Sequence, residues 1–214
     1  MVFCLRILAL SDIHQRLENL NRLLERVDKE SIDLIIVAGD LTNYGDTSDA
    51  SEVLSLLEFA KVFAVPGNLD TQEVLSVLEK RKVSLHAKCA KFKGYRFCGF
   101  GFGLIGSAGS VLFPELEIEK VLGKLVTKGS ILITHLPPKD TKLDAAANEH
   151  IGSTAIRNII LKKKPLLNIC GHAHEAYGKI KLGDTTCINV AAVKEGRAFI
   201  IEVAESISVK KVRI

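Results

Sequence analysis

Short apolar runs alternate along the first third of the chain with longer segments whose apolar residues recur at helical spacing. Residues 33–38 are apolar after Asp33 and rich in β-branched side chains, which is typical of a buried parallel strand. A first helix is predicted by the 3.6-residue spacing of Leu17, Leu20, Leu23, Leu24 and Val27. The repeated order strand, helix, strand favours a parallel sheet with helices on its faces.

The pattern changes after residue 83. Apolar and polar side chains alternate over residues 91–97 around Gly94, which predicts a hairpin. Gly99–Gly109 is predicted to be a loop, and residues 136–152 form a long connection. Further helices are predicted from Ser48 or Asp49, from Thr71, over 114–126 and from Ser153, and late strands over 179–182, 186–191, 197–203 and 206–212. These elements predict two packed sheets with helices outside them.

Composition narrows the class of protein. With 214 residues and 47% hydrophobic content, the chain can bury one core, so we expect a single domain over residues 1–214. A net charge of +4 is too weak to indicate nucleic acid by itself. No apolar run approaches the ~20 residues of a membrane span, and no signal-peptide pattern is visible. We therefore expect a cytoplasmic protein with no membrane partner, and the sequence leaves its oligomeric state open.

The five cysteines are odd in number and share no C-x-x-C spacing. Four of them lie inside apolar runs, so we expect small buried hydrophobic side chains in a reducing compartment.

Side chains that can bind a metal or take part in catalysis lie directly after the predicted strands. Five apolar runs are followed at once by Asp, Asn or His, namely by Asp12 and His14, by Asp40, by Asn68, by His135, and by His172 and His174. Ligands bind at the carboxyl ends of strands in open α/β sheets. We therefore expect these side chains to converge on one metal site with Asp40 at its centre.

The donor set indicates the kind of metal. Carboxylate, amide and imidazole ligands suit divalent Mn, Fe or Zn, and the lack of thiolates disfavours a structural zinc site. Two metals about 3.5–4 Å apart can bind the attacking and the leaving oxygen of an in-line phosphoryl displacement and activate a bridging hydroxide. A carboxylate is the natural shared ligand, which fits Asp40. Taken singly, each residue is more often a cap, a turn residue or a core histidine; the ordered set favours the metal.

Asp12-x-His14, Gly39-Asp40, Gly67-Asn68, His135 and Gly171-His172-x-His174 together resemble the motif set of the calcineurin-like metallophosphoesterases. The resemblance runs from Asp12 to His174. It implies an α/β fold, a four-layer α/β/β/α sandwich with two central mixed sheets. The segments 134–138 and 150–153 resemble the compact Icc-like phosphoesterases of prokaryotes.

The resemblance also implies a division of ligands between two metals. One would be held by Asp12, His14, Asp40 and His174, and the other by Asp40, Asn68, His135 and His172. Manganese is favoured, with iron, zinc or nickel as alternatives. Asp40, Asn68 and His14 would also serve catalysis.

One position departs from the family pattern. Many members carry a histidine after Gly-Asn that is thought to assist the leaving group, whereas this chain has Leu69. His150, in the long loop after the site strand, is the candidate replacement; its ordinary interpretation is an exposed loop residue. Asp70 is expected to cap the next helix or to orient a ligand.

The leading hypothesis is a two-metal hydrolase of phosphate esters, with phosphodiesters favoured, acting by in-line attack of a metal-bridging hydroxide. Its substrate would be a small-molecule phosphate ester or a nucleotide. One alternative is a nuclease, with nucleic acid as a possible but not favoured substrate. The other is a non-catalytic protein-binding scaffold on the same fold, which would resemble the retromer subunit. The basic runs 162–164 and 210–213 are predicted to be solvent-exposed surfaces, or else surfaces that contact a phosphate-rich partner.

Overall fold

The structure is a computed structural model that describes residues 4–104 and 110–214. Its five α-helices in these ranges are α1 Leu17–Glu25, α2 Thr47–Ser55, α3 Gln72–Lys80, α4 Glu115–Leu125 and α5 Thr154–Lys163. Strands of the first half are β1 Leu5–Leu10, β2 Leu34–Ala38, β3 Lys61–Val65, β4 Lys88–Phe92, β5 Tyr95–Phe100 and β6 Ile131–Thr134. Those of the second half are β7 Ala145–Ala146, β8 Glu149–His150, β9 Leu167–Cys170, β10 Gly178–Leu182, β11 Thr185–Asn189, β12 Arg197–Val203 and β13 Ile207–Arg213.

Two mixed sheets form the centre of the molecule. The first has the strand order β13-β12-β1-β2-β3, in which β1, β2 and β3 run parallel and β12 and β13 are antiparallel additions. The second has the order β10-β11-β9-β6-β5-β4, with a parallel centre and antiparallel edges. The predicted pair of central mixed sheets is confirmed.

The period of two along each strand separates the layers. In β1, Leu5, Ile7 and Ala9 join the core between the two sheets, whereas Leu8 and Leu10 join the core shared with the first three helices. A third cluster packs the outer face of the second sheet against α4 and α5. The order of layers is therefore helix, sheet, sheet, helix, as the resemblance implied.

Three helices begin at side-chain caps. Thr71 and Ser153 cap α3 and α5 as predicted, since each side chain accepts a backbone N–H in the first turn. The prediction for α2 was wrong by a few residues. Its cap is Asp46, and Asp49 lies three residues on as the partner in a capping box. Because Thr71 caps α3, Asp70 is left for another role.

The hairpin around Gly94 is confirmed, with the turn residues Lys93 and Gly94 both at positive φ. The predicted loop Gly99–Gly109 begins later than expected, because residues 99 and 100 belong to β5; its residues 105–109 lie outside the described residues. The long connection 136–152 contains the small β7–β8 hairpin. No helix in the described ranges has both the length and the apolar character needed to cross a bilayer.

The expectation that the cysteines stay reduced was wrong for two of them. Cys89 on β4 and Cys98 on β5 are directly opposite each other and form a disulfide with an S–S distance of 2.06 Å. Antiparallel pairing brought the two thiols together, which their sequence spacing did not reveal. Cys170 and Cys187 are buried and free, as predicted, and Cys4 is exposed.

Candidate metal centre

All seven predicted ligands lie where the carboxyl ends of five strands meet. Residues after β1, β2 and β3 of the first sheet face residues after β6 and β9 of the second. Within each sheet neighbouring strand ends are hydrogen-bonded: the Asp12 N–H donates to the Gly39 carbonyl at 3.0 Å, and the Gly171 N–H donates to the His135 carbonyl at 2.9 Å. Between the sheets, the His172 N–H donates to Asp12 Oδ2 at 3.1 Å. The predicted convergence of the five strand ends is thus present in the fold.

The backbone turns sharply at these positions. Asp12, His14, Asp40 and His172 have φ values of 53°, 48°, 51° and 70°. Such left-handed conformations are uncommon for residues other than glycine, and they cluster at functional sites. Here they re-aim each side chain from its strand into the space between the loops.

One group of donors surrounds the Asp12 carboxylate. Its Oδ1 lies 2.9 Å from His174 Nε2 and 3.8 Å from His14 Nε2. Its Oδ2 accepts hydrogen bonds from the Ser11 hydroxyl at 2.5 Å and from the His172 N–H at 3.1 Å. Asp12, His14 and His174 therefore present three donor atoms close enough to share one cation.

A second group surrounds Asp40. Its Oδ2 lies 3.5 Å from His135 Nε2 and 3.9 Å from His14 Nε2, while its Oδ1 accepts the Leu69 N–H at 2.8 Å. Asn68 Oδ1 is 2.9 Å from the same His135 nitrogen. Asp40 thus lies close to a histidine of each group. Asp12 also belongs to both groups, because its carboxylate lies close enough to that of Asp40 and to His135 for the three to share a second cation.

His172 joins the second group through its ring. The ring lies edge-on to that of His135, with 4.9 Å between their centroids. The rings of His14 and His174 meet in the same way at 5.6 Å. The four imidazoles therefore form two pairs, one on each side of the carboxylates.

The donor chemistry fits divalent cations. His135 Nδ1 lies 2.9 Å from the Ala38 carbonyl oxygen, which can only accept, so a ring proton on Nδ1 would be hydrogen-bonded there. Its Nε2 then offers a lone pair toward the Asn68 and Asp40 oxygens, which are acceptors too. His14 Nε2 is buried without a hydrogen-bond partner. A cation among these atoms would satisfy acceptors that protons leave unpaired.

Burial shifts the pKa values of several predicted ligands. It lowers the pKa of His14 to about 4 and that of His172 to about 3, so both rings are neutral at neutral pH, as metal ligation requires. Burial and the negative charges of Asp12 and Asp70 raise the pKa of Asp40. Burial also opposes ionisation of Asp12, yet the His174 hydrogen bond and nearby histidine charge lower its pKa overall.

Two glycines allow the loops to approach this closely. A Cβ on Gly67 would lie 2.1 Å from Asp40 Oδ1, and one on Gly39 would lie 2.3 Å from His135 Nδ1. The Gly-Asp and Gly-Asn pairs in the sequence therefore reflect the space that the site needs.

Asp70 orients the loops rather than capping α3. Its buried carboxylate accepts the N–H groups of Leu41, Thr42 and Gly67 at 3.1, 2.8 and 2.8 Å, and the Thr42 hydroxyl at 2.9 Å. These bonds tie the loop that carries Asp40 to the loop that carries Asn68. The second of the two expected roles, orienting a ligand, is the one that the geometry favours.

Sequence reasoning missed two residues beside His174. Arg197 Nη1 donates to the His174 carbonyl at 3.0 Å and pairs with Glu195 at 2.9 Å, and Glu195 Oε1 lies 3.9 Å from His174 Nδ1. Glu195 lies in the turn between β11 and β12, Arg197 begins β12, and neither belongs to a motif. No signal in the sequence indicates that these residues contact His174.

The described contact of the His150 side chain is with Asp144 and not with any of the seven predicted ligands. Its Nδ1 is 2.8 Å from Asp144 Oδ1, and about half of its side chain is exposed. The same loop contacts the site region, since the Ala147 N–H donates to Glu175 at 3.1 Å, directly after His174. The structure therefore holds His150 in a defined orientation, on a hairpin that contacts the residue after His174, and its role in catalysis stays a prediction.

Comparison with known proteins agrees with this geometry. The family model of the calcineurin-like phosphoesterases matches residues 5–176. The uncharacterized protein MJ1162 of Methanocaldococcus jannaschii is 30% identical over 203 residues, which cover 88% of this chain and 89% of that protein.

Solved structures show the same fold. TT1561 of Thermus thermophilus superposes with a TM-score of 0.79 at 20% identity, covering 99% of this chain and 100% of the other. A structure described as a novel archaeal phosphodiesterase superposes with a TM-score of 0.57 at 15% identity over 98% and 100%. With the family model matching most of its length, the chain belongs to the calcineurin-like phosphoesterases.

Proposed function

We propose that this phosphoesterase is a two-metal enzyme that hydrolyses phosphodiesters in preference to monoesters. The observation that carries the proposal is the pair of overlapping donor groups around Asp12 and Asp40, within which the buried Nε2 of His14 has no hydrogen-bond partner. Two divalent cations are the chemistry that this arrangement fits.

We expect the ligands to divide between the two ions as the family resemblance implied. Asp12, His14 and His174 would hold one ion, and Asn68, His135 and His172 would hold the other. Asp40 would be shared, since its Oδ2 lies within 4 Å of a nitrogen from each side. Manganese is the favoured metal among the ions that mixed oxygen and imidazole ligands accept, with iron, zinc and nickel as alternatives.

Bound metals would polarise the phosphoryl group and make a water a stronger nucleophile. The chain's own residues supply the rest. The loops hold the donors at the carboxyl ends of strands, and Asp70 holds two of these loops together. Burial lowers the pKa of His14 and His172 and keeps these two imidazoles neutral, so their lone pairs remain available.

Leu69 bears on the choice of substrate. Its side chain cannot transfer a proton, so a leaving group must depart with little help or take a proton from another residue. His150, oriented by Asp144, is the candidate donor. General acid catalysis typically contributes ~10²–10⁴-fold, so its loss or replacement should be measurable in turnover.

The deciding assay compares hydrolysis of bis-p-nitrophenyl phosphate with that of p-nitrophenyl phosphate, with Mn²⁺ and with a chelator. We expect metal-dependent turnover that is faster for the diester and lost in Asp40→Ala. The matched control is Asp184→Ala, which removes an exposed carboxylate that is paired with Lys164; it should keep full activity.

Faster monoester turnover would overturn the diester preference and leave a phosphatase. Failure to hydrolyse either compound, with two metals measured in the protein, would overturn the enzymatic proposal and favour a non-catalytic scaffold. Equal loss in both aspartate variants would show that the assay reports stability rather than chemistry.

A further inference from the structure

Three cationic side chains gather around the ring of Tyr177. Lys211 Nζ lies 4.9 Å from the ring centroid, and the guanidinium carbons of Arg197 and Arg213 lie 5.5 and 5.6 Å from it. The ring is held in place because it stacks on Phe199 at 4.5 Å and its hydroxyl donates to the Ala198 carbonyl at 2.8 Å. We call Tyr177, Arg197, Lys211 and Arg213 the edge cluster.

Strand register forces these charges together. Arg197 and Arg213 are directly opposite in the β12–β13 pair, and Lys211 is opposite Phe199 on the same face. Like charges opposite each other on a sheet are destabilising. Arg197 has Glu195 as a partner at 2.9 Å, but within the described residues neither Lys211 nor Arg213 forms an ion pair. The cluster therefore has positive charge that no carboxylate of the described chain neutralises.

The basic run 210–213 is divided between two faces of the strand. Ile207 and Val209 pack against the core between the sheets, so Lys211 and Arg213 follow them on that face. Val212 belongs to the core on the helical side, and Lys210 shares its face. Only part of the basic run thus points toward the opening between the sheets.

The edge cluster adjoins the candidate metal centre. Arg197 donates directly to the carbonyl of His174 at 3.0 Å. From there the open edge of the sandwich runs between β13 and β10, the outer strands of the two sheets. At the far end of β12 a groove of about 550 Å³ is lined in part by Lys179 and Lys181, with Glu205 as an acidic neighbour. The two outer strands therefore both carry positive side chains, Lys179 and Lys181 on β10 and Lys211 and Arg213 on β13.

We propose that the edge cluster binds a phosphate group of the substrate other than the one that is hydrolysed. The inference rests on the proposed function and specifies its substrate class, which is a compound with more than one phosphate. Guanidinium and ammonium groups form strong charge-assisted hydrogen bonds to phosphate oxygens, and a bound anion would relieve the repulsion between Arg197 and Arg213. The phosphates could belong to a nucleotide chain or to an inorganic polyphosphate, and the experiment separates these sources.

The test measures binding of fluorescein-labelled tetrathymidylate by anisotropy, on the full chain as purified and after chelation. The double variant Lys211→Gln/Arg213→Gln removes two charges from the cluster. Its matched control, Lys162→Gln/Lys210→Gln, removes two exposed charges elsewhere. We expect the cluster variant to lose about tenfold or more in affinity at low salt. Its slope of log Kd against log salt should fall by about 1.4, because each contact to a single strand contributes about 0.7.

Competition by inorganic tripolyphosphate identifies the source of the phosphates. Weaker binding of both probes in the cluster variant supports a site for phosphate groups in general, and weaker binding of tetrathymidylate alone supports one for a nucleotide chain. Equal affinity of the two double variants would overturn the proposal. The chelated protein cannot turn over through a metal, so this outcome is independent of whether the proposed hydrolysis occurs.

Discussion

Replacing Gly67 with alanine tests how tightly the site depends on the approach of two loops. Gly67 is the last residue before Asn68, and its Cα faces the Asp40 carboxylate. The added Cβ would lie 2.1 Å from Asp40 Oδ1 and 2.3 Å from the Asp40 backbone nitrogen, where ordinary contacts begin at 3.4 Å. The carboxylate can rotate away, but the backbone nitrogen cannot, so the loops must separate.

The required separation is about 1 Å, the difference between those contact distances. It would also stretch the 2.8 Å hydrogen bond from the Leu69 N–H to Asp40. A misplacement of 1 Å at a reacting centre can lower activity about 10²-fold. Overpacking of this kind costs about 1–3 kcal/mol of unfolding free energy, so the protein should still fold.

The assay combines metal-dependent hydrolysis of bis-p-nitrophenyl phosphate with metal content and thermal unfolding. Gly123→Ala is the matched control: it lies in α4, where the nearest atom to the new Cβ would be 3.8 Å away, and alanine favours helix by about 1 kcal/mol. We expect about 100-fold lower turnover in Gly67→Ala with a cooperative unfolding transition, and unchanged turnover in Gly123→Ala. Wild-type turnover and metal content in Gly67→Ala would refute the reasoning.

Two further predictions concern residues outside the metal ligands. For a diester with an alkoxide leaving group, such as a dinucleotide, His150→Ala should lower turnover by about 10²-fold or more if His150 is the proton donor; p-nitrophenolate leaves without a proton and would not report the loss. Metal content should stay intact and the neighbouring Glu149→Ala should have no effect; equal turnover of the dinucleotide in both would end that role for His150. Replacing Cys89 and Cys98 by alanine should lower the unfolding free energy by about 2–3 kcal/mol, because the disulfide closes a short loop in the unfolded chain. Denaturant unfolding with and without reductant checks this, and a reductant effect in the alanine variant would assign the change to another cause.

The sequence by itself determined the parallel strands whose carboxyl ends carry the site and the chemical types of the side chains that follow them. A strand such as β2 follows from a local apolar run, and the turn after it follows from Gly39, which adopts a φ of 92°. Because parallel strands align their carboxyl ends, the sequence alone could place Asp12, Asp40 and Asn68, which follow β1, β2 and β3, at one edge of the first sheet. Local periodicity and a topological rule were sufficient for this.

Only the tertiary structure decided which partners those residues meet. The Cys89–Cys98 disulfide depends on the register of two antiparallel strands, and the contact of Arg197 with His174 depends on how the β11–β12 turn packs. The division of the basic run 210–213 between two faces likewise depends on which face of β13 the inter-sheet core takes. No local preference encodes such contacts, whether they lie within one hairpin or join distant elements, because strand register and the choice of buried face arise from the simultaneous packing of all four layers.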